Sequence, residues 1–310
     1  MSVLSRPRAA KFVARLMQSA TGAAAKSIAR KSAARFPEFA SRREELVVPT
    51  SVGPTRVTVY RPEPTDEVPP VYINLHGGGY VIAEREIDDP LCRAIAAQSG
   101  AVVLNVDYVV APQHPFPEPS RQIQVVVRWV VEHGAEHGWD GGRLVIGGQS
   151  AGGALTAAAA RTALEEGGPP IALQVLHYAP LDLTIPAGHK TSPIRKPMLR
   201  PWMGEVFDTA YAPDPSVRSD RLISPAGVAD TADLTGIAPA VVIAAENDIL
   251  RAESRRYADR LAEFGALLEF HEVPGADHGY DGSDDALALA AYTLIAGHVR
   301  RATGVTTSRS

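Results

Sequence analysis

The sequence predicts a mostly parallel β-sheet covered by helices on both faces. Three observations carry this. Short, almost continuously apolar runs recur along the chain, as buried parallel strands require. Longer segments with helical apolar periodicity separate them. At 310 residues and 45% hydrophobic content, the chain can bury one large core, alone or with an appendage.

The elements follow in order. The first 40 residues read as one or two alanine-rich amphipathic helices, with breaks expected near Thr21-Gly22 and at Pro37. EELVVPT and TRVTVYRP form a strand pair at a sheet edge, and VYINLHG is the next strand. REIDDPLCRAIAAQSG is a helix closed by Gly100, and AVVLNVDY a strand. SRQIQVVVRWVVEHGAEHG is a helix with a mixed apolar stripe. RLVIGGQS is a strand that runs straight into the helix AGGALTAAAARTALEEG. LQVLHYAP, PAVVIAAEND and LLEFHEVPG continue the strand series, with ESRRYADRLAEFG and DALALAAYTLIAGHVRR as the last helices. Residues 183–235 break the rhythm: they are rich in Pro, Asp, Gly and Ser, with one convincing helical piece, KPMLRPWMGEVFDTAY. They read as an insertion over the sheet that forms a lid with the N-terminal helices. The domain expectation is therefore cap helices at 1–40, a core at 41–182 and 236–310, and a cap insertion at 183–235. The polar tail TGVTTSRS is expected to fray.

Charge and composition exclude several classes. The net charge of −4 makes no case for a nucleic-acid partner. Residues 1–36 nonetheless hold eight basic side chains and no acid, leaving −12 on the rest of the chain. Contact with a membrane surface or with nucleic acid is the alternative there to a solvated helical face laid over the core, which is the expectation. No stretch approaches the roughly 18 apolar residues of a membrane span, so no stable membrane insertion is expected. Lys11 and Arg15 interrupt the start, which lacks a leader's apolar centre, so a cytoplasmic location is expected. The single cysteine, Cys92, rules out an internal disulfide and a cysteine metal cluster, and reads as a buried thiol in a helix.

The chemistry centres on GGQSAGG. Gly148-Gln149-Ser150-Ala151-Gly152 is a G-x-S-x-G pattern between strand and helix, the context of a nucleophile elbow. A serine in so sharp a turn needs small residues two positions either side. The turn lifts the hydroxyl clear of the sheet and leaves the Ala151 N–H without an intrahelical partner. A phosphate loop would need G-K-[ST] here and a dinucleotide loop G-x-G-x-x-G; neither follows this strand.

A serine needs a base, and the base an orienting acid. Of the nine histidines, His278 in PGADHGYDG stands in the loop after the last strand, where function concentrates in parallel sheets. His133 and His137 are four apart on a helix without an H-E-x-x-H pattern and read as surface residues, so no zinc site is expected. Asp248 in VVIAAENDILR holds the equivalent loop after the preceding strand; capping the next helix is its alternative role, and Glu246 is the rival acid. Gly77, Gly78 and Gly79, behind His76 at the end of a strand, would each cost a regular element roughly 0.5–1 kcal/mol. Their use is to bring bare N–H groups close to an anion, as an HGGG-type oxyanion loop does.

HGGGY at 76–80, DYVVAPQHPFP at 107–117, GQSAGG at 148–153, ENDILR at 246–251 and DHGY at 277–280 together resemble the hormone-sensitive-lipase-like family of α/β-hydrolases, the bacterial family IV carboxylesterases. The likeness covers roughly residues 40–303. It implies an α/β-hydrolase fold with an eight-stranded, mostly parallel sheet and a helical cap. It implies Ser150 as nucleophile, Asp248 as orienting acid and His278 as base, with the N–H groups of Gly78, Gly79 and Ala151 as oxyanion hole. Gly77 is then structural and His76 braces the loop. The implied activity is hydrolysis of short- to medium-chain acyl esters without metal or organic cofactor. An amidase, a lipase-like hydrolase and a non-catalytic ligand-binding protein are the alternatives. Trp202, Met203 and Phe207 suggest a restricted pocket, and self-association into a homodimer is left open. Two departures stand out. Gln149 replaces the family's usual Asp, which should alter loop hydrogen bonding. Val109 and Gln113 replace an Arg and a Glu, as if one ion pair were lost together.

Overall fold

The computed structural model describes residues 3–305. The chain opens with α1 (Pro7–Ala34), followed by β1 (Arg42–Val48), β2 (Thr55–Arg61) and β3 (Pro70–Leu75). Next come α2 (Asp89–Ser99), β4 (Val102–Val106), α3 (Glu118–Glu132) and the single turn α4 (Gly134–His137). β5 (Asp140–Gln149), α5 (Ala151–Glu166), β6 (Leu173–His177) and α6 (Pro201–Tyr211) lead to β7 (Ala240–Ala245), α7 (Arg251–Glu263), β8 (Leu267–Val273) and α8 (Asp285–Thr303). Residues 306–310 of the tail expected to fray lie outside the described residues.

The eight strands form one sheet in the order β1-β2-β4-β3-β5-β6-β7-β8. β1 and β2 pair antiparallel, as does β2 with β4, and the remaining neighbours are parallel. Every residue of β3, β4, β6 and β7 is buried, whereas the edge strands β1 and β8 are largely exposed or half-buried. Alternate side chains feed two cores. Ile73, Leu104 and Ile146 pack with Ile123 of α3, Leu155 of α5 and Leu261 of α7. Tyr72, Val103 and Val145 point the other way, to Leu91 and Ile95 of α2 and Ile295 and Val299 of α8.

Three expectations change. α1 is a single helix through Thr21-Gly22. The Thr21 hydroxyl donates back to the Met17 carbonyl at 3.0 Å, and the surrounding alanines carry one glycine within a helix. The contact face of α1 is also thinner than its amphipathic pattern suggested. Ala10, Ala14 and Ser32 are its buried residues, and Phe12 and Leu16 are exposed. Finally, the long helix expected over 120–138 ends at Glu132. Gly134 approaches the Trp139 backbone so closely that a Cβ would lie 2.7 Å from its carbonyl oxygen.

α1 lies beside α6, and its C-terminal end is tied down by one buried arginine. Arg93 of α2 donates to Asp89 at 2.8 Å, to the carbonyls of Phe36 at 2.7 Å and Arg35 at 2.6 Å, and more weakly to Phe39 and Ser32. The guanidinium thus satisfies carbonyls that a helix end leaves without partners. Arg93→Ala should destabilise the fold by about 3 kcal/mol, since it strands buried acceptors and part of the Asp89 charge. Urea unfolding with limited proteolysis of α1 checks this; unchanged stability with a protected α1 would contradict it.

Candidate active site

Ser150 sits between β5 and α5 with φ 50° and ψ −120°, a strained conformation for a residue with a side chain. Its N–H donates to the His177 carbonyl at 2.8 Å, which fixes the turn to β6. The small residues around it answer a steric demand. A Cβ on Gly152 would collide with the Leu75 carbonyl oxygen at the end of β3, and one on Gly148 would lie 2.5 Å from the Gly152 backbone.

The structure brings Ser150, His278 and Asp248 together. Ser150 Oγ lies 3.0 Å from His278 Nε2, and His278 Nδ1 lies 2.6 Å from Asp248 Oδ2. A carboxylate can only accept, so Nδ1 carries the proton and Nε2 faces the serine as an acceptor. Asp248 does not cap the next helix, whose N-cap is Leu250; its Oδ1 accepts the Leu250 N–H at 3.1 Å in the turn that precedes α7. Glu246, the rival, turns away and accepts the Gly275 N–H at 2.7 Å. Burial pushes the His278 imidazole down. The Asp248 carboxylate, its hydrogen bond, and then Asp277 and Asp281 outweigh that and hold it above the ordinary histidine range.

The glycine run lies alongside. Gly77, Gly78, Gly79, Ser150 and His278 line one cavity of about 290 Å³. Among the described residues, no protein acceptor takes the N–H of Gly78, Gly79 or Ala151. Gly79 is obligatory for a second reason: a Cβ there would enter the Phe207 ring. His76 is fully buried, and burial lowers its pKa, so the ring is neutral. Its Nδ1–H donates to the Gly77 carbonyl at 2.6 Å, and the ring stacks on Tyr108 with centroids 4.2 Å apart.

The two departures from the family pattern have partners. The Gln149 amide donates to Asp281 Oδ2, and Asp281 also accepts from Tyr178 at 2.6 Å and Tyr292 at 3.1 Å. An aspartate at 149 would set two carboxylates against each other. Gln113 and Gln18 of α1 exchange hydrogen bonds at 2.9 and 3.1 Å, while Gln18 also donates to the Val81 and Ala111 carbonyls. Gln113 thus takes part in a neutral link from α1 to this loop.

Other expectations need correction. Met203 and Phe207 line the cavity, but Trp202 does not and is 48% exposed, because it falls on the outer face of α6. His133 and His137 are half-buried against Trp129, and His137 also stacks on Trp139, so they are packing residues and not surface ones. Sequence reasoning missed Asp277 and Asp281. Asp277 accepts the N–H of His278 at 2.7 Å and that of Met198 at 2.6 Å. The run DHGYD held both, but nothing local marks either as buried or bridging.

Comparison with known proteins shows the family of the chain. Residues 72–281 match the family described as the alpha/beta hydrolase fold. The chain is 36% identical over 227 residues to carboxylesterase NlhH of Mycobacterium tuberculosis, covering 72% of this chain and 70% of that one. It is 32% identical over 229 residues to ethyl acetate hydrolase of Pseudomonas putida, with coverages of 72% and 70%. Among solved structures, an esterase of Pyrobaculum calidifontis superposes with a TM-score of 0.82 at 30% identity, over 93% of this chain and 92% of that one. The chain belongs to the α/β-hydrolase family, as its resemblance to the hormone-sensitive-lipase-like carboxylesterases implied.

Proposed function

We propose that the protein is a serine carboxylesterase acting on short- to medium-chain acyl esters through a covalent acyl-enzyme. The observation that carries this reading is the hydrogen-bonded series Asp248–His278–Ser150, opening onto a cavity lined by Gly78 and Gly79, whose N–H groups, like that of Ala151 next to Ser150, have no acceptor among the described residues.

His278 Nε2 takes the Ser150 proton as Oγ attacks the ester carbonyl. The imidazolium so formed is stabilised by Asp248, which keeps its own negative charge. The carbonyl oxygen becomes an oxyanion facing the three N–H donors, each worth about 3 kcal/mol where charge develops. Collapse expels the alcohol, which takes the proton from Nε2, and leaves the acyl group on Ser150. Water activated by the same nitrogen then releases the acid. Residues of the segment 183–235 and α1 act in this reading as a cap. Met203 and Phe207 narrow the cavity, and exclusion of water strengthens the electrostatics inside. A cavity of about 290 Å³ favours short and medium acyl chains over long ones.

Ser150→Ala should lower p-nitrophenyl butyrate turnover by roughly 10⁴-fold or more without unfolding the protein. A fluorophosphonate should add to the wild type alone, as read by intact-protein mass. A variant that retains turnover would refute the reading.

The pH profile tests His278. Only its neutral form accepts the serine proton, so kcat/KM should fall as pH drops through a midpoint above the ordinary 6.5. Asp248→Asn removes the main charge that opposes burial, so the limb should move to lower pH while kcat falls by about 10³–10⁴-fold. A limb that Asp248→Asn leaves in place would mean another group titrates.

Phe207→Ala should open the cavity beside Gly79. The kcat/KM ratio of p-nitrophenyl octanoate to acetate should then rise several-fold, by the gain of buried methylenes at about 0.8 kcal/mol each. An unchanged ratio in the folded variant would remove α6 from the acyl pocket.

A further inference from the structure

The cavity beside Ser150 carries carboxyl groups for which ester hydrolysis has no use. Glu84 and Asp88 follow the glycine run four residues apart, and both line the cavity. Glu84 is 8% exposed, and its side chain has neither a hydrogen bond nor an ion pair among the described residues. Asp88 is 2% exposed; its Oδ2 accepts from Asn74 at 2.8 Å, and its Oδ1 has no protein donor. The cations of the same lining are engaged elsewhere, Arg35 with Asp285 and Lys190 with Glu253 at 2.7 Å. Neighbouring Arg85 faces Asp107 and Glu45, both at 2.9 Å.

Buried carboxyls without a counter-charge are costly and respond by holding protons. Burial pushes Asp88 up to about 8 and raises Glu84 as well. Packing does not require such a wall, since apolar side chains would fill it at lower cost. What it lacks is a cation.

We propose that Glu84 and Asp88 form a subsite for a protonated amine carried by the substrate, so that the preferred esters are those of aminoalcohols or of amino-substituted acids. The ammonium N–H donates to Asp88 Oδ1 or to the Glu84 carboxylate, and its charge supplies the counter-charge that neither side chain has among the described residues. The inference rests on the ester-hydrolase reading but can be tested apart from it.

The experiment compares esters that differ only in charge, at pH 7. On the alcohol side, 2-(dimethylamino)ethyl butyrate is matched by 3-methylbutyl butyrate. On the acyl side, the p-nitrophenyl ester of 4-(dimethylamino)butanoic acid is matched by that of 5-methylhexanoic acid. In one arm the charged ester should show a kcat/KM about tenfold or more above its isostere, the scale of a hydrogen bond between charged groups. That ratio should fall toward one in Glu84→Gln or Asp88→Asn, mainly through KM, and the responding arm identifies which half of the ester the subsite holds. A ratio of one or less in both arms overturns the proposal, as does a ratio that both variants leave unchanged. If Asp88→Asn does not fold, Glu84→Gln decides alone. Thermal stabilisation of Ser150→Ala by 2-(dimethylamino)ethanol, against 3-methylbutanol, needs no turnover. If p-nitrophenyl butyrate is not hydrolysed the esterase reading fails, while equal shifts with the two alcohols would reject the cation subsite by itself.

Discussion

The site depends on one close approach of backbone to backbone: the first turn of α5 against the carbonyl end of β3. Gly152 meets the Leu75 carbonyl with no room for a Cβ, and Gly148 meets Gly152 in the same way. No side-chain rearrangement can relieve such contacts, because both surfaces are main chain held in regular elements. Two consequences follow. Ser150 is forced into its strained turn, with Oγ clear of the sheet, and the glycine run that leaves β3 is brought beside the helix start. The nucleophile and the bare N–H groups are therefore placed by the same packing. Any widening of this contact would separate the two.

Around that fixed point, the base is held by loops that reach into the overlying segment. Asp277 takes the backbone N–H groups of both His278 and Met198, and so links the imidazole's position to residues above the sheet. Ser192 donates to the Asn247 carbonyl at 2.5 Å, next to Asp248. Lys190 reaches Glu253 on α7, and Glu253 in turn accepts the Leu181 N–H at 2.8 Å. The segment between β6 and β7 is thus anchored to both loops that carry His278 and Asp248. Movement there would be felt at the imidazole before it was felt in the sheet.

The polar interior behind the serine follows a different logic from the hydrophobic cores. Asp281 is buried and takes three donors, from Gln149, Tyr178 and Tyr292, which offset the cost of removing a carboxylate from water. Gln149 and Asp281 form a matched pair: an amide at one position suits a carboxylate at the other. Gln113 and Gln18 repeat the theme with neutral groups and tie this loop to α1.

The sequence by itself determined the parallel sheet, the elbow and the glycine loop, because each is written in contiguous residues. Apolar runs bury strands wherever they occur, and a serine between small residues at a strand–helix junction admits few backbone shapes. Element boundaries were less legible: α1 runs unbroken through Gly22, and the helix before Gly134 stops early against Trp139. The same limit held in the site. Asp248 and Glu246 are equivalent carboxylates two residues apart, and only the path of the chain after β7 sends one to His278 and the other to Gly275. Trp202 and Met203 are neighbours, and only the docking of α6 turns one to solvent and the other to the cavity. Local chemistry names the groups a site can use. Which of them meet, and which carboxyls stay without a counter-charge, is decided when segments far apart in the chain share one buried volume.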